Sequence, residues 1–184
     1  MANVTVSPTE FHFVTFDAGE VARLVGEVAD LVGLPDDLAI HVAIDETTPL
    51  GRTRIASLDP VSIEVEGGAF ENAKAPRSLS ERSVRDVAGR LLLRAKDRMS
   101  PAFAEAPADE DLTLAQTVAW DAYAVGRAAR AGIAVSKPRR LYHFRNRHGF
   151  NDVADAAFER LWAADALTWA ELDAWCQETA AAKV

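Results

Sequence analysis

Cysteine is nearly missing from this 184-residue chain: Cys176 stands alone, so an internal disulfide framework and a cysteine-based zinc cluster are both excluded. Long apolar runs are missing too. None approaches the roughly 18 residues of a membrane-spanning helix, so no membrane is expected. The first residues, Met-Ala-Asn-Val, carry neither a basic segment nor an apolar core, and no signal peptide is expected. The expected compartment is a reducing cytoplasm. Lysine is scarce, 4 residues against 16 arginines, while alanine reaches 35, the usage of a GC-rich bacterial genome.

Recognisable chemistry is also missing. No G-x-S-x-G elbow supports a serine nucleophile, and Cys176, among tryptophans on one helical pattern, reads as a small buried hydrophobe. Neither G-x-x-x-x-G-K-[ST] nor G-x-G-x-x-G occurs, and Gly67-Gly68 is flanked by Glu64, Glu66 and Glu71, which would repel a phosphate. Neither H-E-x-x-H nor H-x-H occurs. His41, Asp45 and Glu46 fall close together, but only His12, His143 or His148 could complete a metal set, and the cluster reads as a polar outer sheet face. No metal, cofactor or catalytic residue is therefore expected.

Segregated charge is what the sequence does have. The chain carries 28 acids and 20 Lys+Arg, net −8, yet the signs are not mixed. Residues 1–70 hold 12 acids and 3 bases, whereas residues 127–148 hold 7 bases and no acid. A second basic stretch, 71–100, has 8 bases and 4 acids. In it Arg90, Arg94 and Arg98 follow at i, i+4, i+8 and read as one solvated helical column.

The hydrophobic pattern gives an α+β fold. Val4–Val6 and residues 10–16 read as extended. Asp17 with Glu20 opens an amphipathic helix over 18–32 that Gly33 stops. Leu38–Asp45, Arg52–Leu58 and Val61–Glu66 alternate as strands. Ser78 with Glu81 caps a helix over 79–99, and further helices are predicted over about 111–131, 152–164 and 169–182. Val135–Phe144 contains Pro138 and is read with a short edge strand at 140–145. The expected product is one domain over 1–184: a small, mostly antiparallel sheet with one packed helix in the sheet-rich residues 1–70, then a helix-rich part over 71–184.

Within the basic stretch, guanidinium groups suit phosphates and carboxylates, and rings offer stacking. Arg139, Arg140, Arg145 and Arg147 are the candidate charge donors, with Tyr142 and His143 as shape or stacking groups. The simpler alternative is that these arginines pair with the flanking acidic helices. Trp162, Trp169 and Trp175 are candidate anchors of a core or an interface, including one between copies of the chain. DNA reading by the last helix is disfavoured, because Glu171, Asp173 and Glu178 would face phosphates.

The element order, an edge strand over 61–70 followed by the 79–99 helix, resembles the core of zincin-type metallopeptidases. That helix reads Ser83-Val84-Arg85-Asp86-Val87-Ala88-Gly89-Arg90 with no histidine, so the resemblance implies a scaffold without the metal. The leading functional reading is a non-catalytic binding or protein-interaction module that uses the basic segment 137–148 for an anionic small molecule, a nucleic acid or an acidic protein partner. The alternatives are an enzyme acting on a small phosphorylated or carboxylated metabolite, with arginine clamps and His143 or His148 as acid or base, and a metal-free scaffold or oligomeric structural subunit.

Overall fold

The computed structural model describes residues 2–183. The chain divides into two compact units, residues 1–95 and 96–184. The fold is α+β with a helical C-terminal half, as the pattern predicts, with six α-helices among the described residues. None of them is long and apolar enough to cross a membrane.

The first unit holds β1 (Asn3–Ser7), α1 (Ala18–Leu31), β2 (Ala39–Asp45), β3 (Thr53–Leu58) and β4 (Val61–Glu66), with sheet order β1-β2-β4-β3. The pairing is mixed where a mostly antiparallel sheet is expected. β1–β2 and β2–β4 are parallel, and only β3–β4 is antiparallel. The cause lies in α1, a helical crossover that brings the chain back to run beside β1 in the same direction. The β3–β4 hairpin then lays β4 against β2 and leaves β3 outside, so Val61–Glu66 is an interior strand rather than an edge. β4 buries Val61, Ile63 and Val65 and alternates them with polar residues.

Three sequence expectations in this unit change. Residues 10–16 form bends with one isolated bridge, Thr15 to Ser78, not a strand. The Glu46 carboxylate accepts the His12 and Phe13 amides at 2.8 and 2.6 Å, groups that a strand ladder would have used. Strand structure also extends past residue 70, in β5 (Glu71–Asn72) and β6 (Ala75–Leu79), where the Asn72 side chain accepts from Lys74 N within the turn. Helix α2 (Glu81–Arg98) is accordingly capped by Ser80, whose hydroxyl accepts from Ser83 N, and not by Ser78, which lies in β6.

The second unit is entered through the last turn of α2 and comprises α3 (Leu114–Arg130), α4 (Lys137–His148), α5 (Asp152–Ala163) and α6 (Trp169–Ala181). α3 touches the other three and supplies Trp120 and Tyr123 to a core shared with Phe103, Phe144, Phe158, Leu161 and Leu172. Capping boxes start α3 at Thr113–Gln116 and α6 at Thr168–Glu171, and Asn151 caps α5.

The principal correction is α4. Residues 140–145 are helical, not an edge strand. Pro138 sits in the first turn, where its missing N–H removes no helical bond, and the Ser136 hydroxyl accepts from Arg139 N. Lys137, Arg139 and Arg140 oppose the helix dipole at that end, while Arg145 and Arg147 favour it at the other. Local charge therefore does not settle the conformation, and packing does. Phe144 and His148, four residues apart, are both buried, and burying one Phe side chain stabilises by about 1.5–3 kcal/mol. Gly149, at φ 107°, ends the helix, with its N–H donating to the Arg145 carbonyl.

Candidate functional site

Because residues 137–148 are helical, their side chains sort by a period of 3.6 and not by alternation. The inner positions are Phe144 and His148, with Leu141 half-buried against the core. The exposed positions are Pro138, Arg139, Tyr142, His143, Asn146 and Arg147, a continuous stripe without an acid. Phe150 follows just past the helix end and is 65% exposed, beside Tyr142 at 59%. Their ring centroids lie 6.3 Å apart at 68°, edge to face, and the Tyr142 and His143 rings lie 6.4 Å apart.

The arginines of the basic segment divide into two groups. Arg127 donates from Nη1 and Nη2 to both oxygens of Asp97, at 2.8 and 2.6 Å, and its guanidinium lies 3.7 Å from the Tyr123 ring centre. Trp120 Nε1 donates to the same carboxylate at 2.8 Å. Arg130 reaches Asp165 and the Trp162 and Ala164 carbonyls. Arg145 holds Asp155 by a bidentate pair at 2.7 and 2.6 Å, which lowers the pKa of Asp155. Lys137 pairs with Glu159 at 2.7 Å and lies over the Trp162 ring. Arg140 is half-buried and already engaged. The side chains of Arg139 and Arg147 form no ion pair with any described residue. Eight residues apart on one helix, they stand about 12 Å from each other along its axis. At that separation two cations in water repel by only about 0.3 kcal/mol, so the fold tolerates both without partners.

The remaining candidates sit elsewhere. His143 is on the exposed stripe, whereas His148 is 1% exposed and stacks on Phe144 at 3.9 Å. Its Nε2 lies 2.9 Å from the Ala115 carbonyl and its Nδ1 lies 2.6 Å from the Thr179 hydroxyl. The Ala115 carbonyl can only accept, so Nε2 carries the proton, while the one proton of the Thr179 hydroxyl is shared between Nδ1 and the Cys176 carbonyl, 2.9 Å away. Burial lowers the pKa of His148, and Lys183 adds to that. Both ring nitrogens are thus occupied inside the core. Trp169 lies in the core, edge-tilted against Trp120 at 5.5 Å, and Trp162 and Trp175 pack half-buried on the same core. Cys176 is buried, and burial pushes its thiol up to about 12.

In the first unit, His41 lies between Thr5 and Ser7, each hydroxyl 3.0 Å from a ring nitrogen, Asp45 accepts from Thr47, and Glu46 holds the His12–Phe13 amides. No three His, Cys, Asp or Glu side chains among the described residues are placed to hold a metal ion. The column read as solvated is not. Arg94 is 2% exposed, Arg90 is buried and donates to Thr53, and Arg98 pairs with Asp109 at 2.7 Å. The helix that carries them is buried around its whole girth over residues 87–95, so Arg90 and Arg94 run along buried surface, each with its Nε lacking a hydrogen-bond acceptor among the described residues.

Sequence reasoning missed Phe150 and Asn146 as members of the exposed stripe. A signal for Phe150 existed: the ring stands between a helix-ending Gly149 and a helix-capping Asn151, where no helical face can bury it. Comparison with protein-family models, with curated proteins and with solved structures finds no match for this chain.

Proposed function

We propose that the second unit is a non-catalytic binding module and that the outward face of α4 is its contact surface for an anionic or acidic partner. The observation that carries this reading is the combination of two uncommitted arginines, Arg139 and Arg147, with two exposed rings, Tyr142 and Phe150, on a surface stripe without a carboxylate. Large exposed rings beside arginine are the composition of contact hot spots, where an apolar body is buried and a charged group is satisfied by the partner. Two acids that α5 brings toward α4, Asp155 and Glu159, are already neutralised by Arg145 and Lys137. With those two acids paired, Arg139 and Arg147 supply positive charge to the stripe on a chain whose net charge is −8.

Heparin chromatography tests the reading. A chain of net charge −8 has no reason to stay on a polyanion unless a local basic surface holds it. The wild-type protein should be retained at low salt, and the double variant Arg139→Glu, Arg147→Glu should pass through with an unchanged melting temperature. Passage of the wild-type protein at low salt, or equal retention of the double variant, contradicts the assignment.

A further inference from the structure

Resting on that reading, we infer that the partner of the α4 face is a single-stranded nucleic acid. Three features of the stripe separate this partner from an acidic polypeptide. First, the uncommitted charges are both guanidinium groups, which match phosphate oxygens bidentately and also stack on bases. Second, they are set about 12 Å apart along a straight element, so they can take separate phosphates of one extended strand instead of a single carboxylate. Third, the space along the helix between them is occupied by the exposed ring of Tyr142, with Phe150 beside it and the Asn146 amide on the same face. Carboxylates have no use for a ring. Bases do, because each has a π face, and the amide offers one donor pair and one acceptor to a base edge.

The Tyr142 and Phe150 rings meet edge to face, which rules out a base inserted between them and leaves stacking on their outer surfaces. A duplex hides its base faces, so it would gain only the phosphate contacts. α6, with Glu171, Asp173 and Glu178, takes no part. Two phosphate contacts give weak binding, and the single-strand salt dependence for two contacts is a log–log slope of about −1.4.

Fluorescence anisotropy with a labelled 12-nucleotide single strand is the test, run beside the matching duplex and a labelled poly-glutamate peptide. The single strand should bind more tightly than the duplex. The variant Tyr142→Ala, Phe150→Ala, which keeps every charge, should lose roughly tenfold or more in affinity for it, the size expected for a lost stacking platform. The variant Arg139→Ala, Arg147→Ala should remove most of the salt slope. All four side chains are exposed, so the circular dichroism and melting temperature of each variant should match the wild type. Equal binding of duplex and single strand, or an unaltered affinity in the ring variant, overturns the inference. Arginine-dependent binding of poly-glutamate with no binding of the single strand overturns it as well, while leaving the α4 binding surface in place. Failure of all three probes together with passage through heparin removes both.

Discussion

Arg127 and Arg147 belong to one basic run in the sequence, yet the fold gives them opposite environments. Arg127 lies against Tyr123, bidentate to a buried Asp97 that also takes the Trp120 N–H. Arg147 projects from the far face of α4 with no ion pair among the described residues. The same residue type is structural in one place and available in the other. What separates them is the position of an acid: Asp97 is 30 residues away in sequence and adjacent in space, and no carboxylate among the described residues pairs with Arg139 or Arg147. A basic segment is thus not a site in itself. The site we propose is the charge that remains after the fold has neutralised the rest.

The comparison predicts a graded set of responses. The largest comes from Asp97→Ala, which leaves a mostly buried guanidinium and the buried Trp120 N–H without their acceptor. Breaking a buried pair in this way costs about 3–5 kcal/mol, read as a lower urea midpoint for the second unit. An unchanged midpoint would mean that Arg127 is as free as Arg147.

Next is Gly126→Ala, at the close approach of α3 to α5. A Cβ there would stand 2.2 Å from the Trp162 carbonyl oxygen, so the helices must separate, at a cost of about 1–3 kcal/mol. Separation would also disturb the Arg130 contacts to the Trp162 and Ala164 carbonyls. Thermal unfolding that matches the wild type would refute the tight α3–α5 contact.

His148 gives the pH dependence. Its folded pKa is depressed by burial, so between that value and the ordinary histidine pKa the unfolded chain holds a proton that the folded chain does not. The stabilisation is therefore complete above the ordinary value of about 6.5. It falls as pH drops below that value, by up to about 1.4 kcal/mol per pH unit, until the folded pKa is reached. Urea titrations between pH 7.5 and 5 should show this loss, and His148→Gln should flatten it. Equal slopes in the two proteins would exclude a neutral buried imidazole.

The smallest effects distinguish the two arginine groups on α4 itself. Arg145→Ala loses a partly exposed pair with Asp155 and should cost no more than about 1 kcal/mol. Arg139→Ala and Arg147→Ala should stay within about 0.5 kcal/mol of wild type. Paired chemical-denaturation curves measure both, and a larger loss at Arg139 or Arg147 than at Arg145 would show that the open arginines carry structure after all.

Much of the fold was legible because local and periodic signals agreed. Asp17, Asn151 and Thr168 each cap the helix that the apolar spacing places after it, and Ile40, Val42 and Ile44 alternate as the strand they form. The sheet's parallel pairing was not legible, since it depends on where a crossover helix returns the chain. α4 was misread because its local signals conflict: a proline, an aromatic run and adverse charge in the first turn, all outweighed by burial of Phe144 and His148. Of the candidate site, the excess of positive charge was visible in the sequence. Its division was not, because Asp97, Asp155 and Glu159 meet their arginine and lysine partners only through helix packing.

The proposed contact surface is the outward face of α4. The most direct measurement is a nuclear magnetic resonance titration with a short heparin oligosaccharide, following backbone amides and arginine Nε–H groups. The account predicts shifts at Arg139, Tyr142, His143, Asn146, Arg147 and Phe150, with the Nε–H signals of Arg127 and Arg145 unmoved. Shifts centred on Arg127 or Arg145, shifts confined to another segment, or none at all would contradict it.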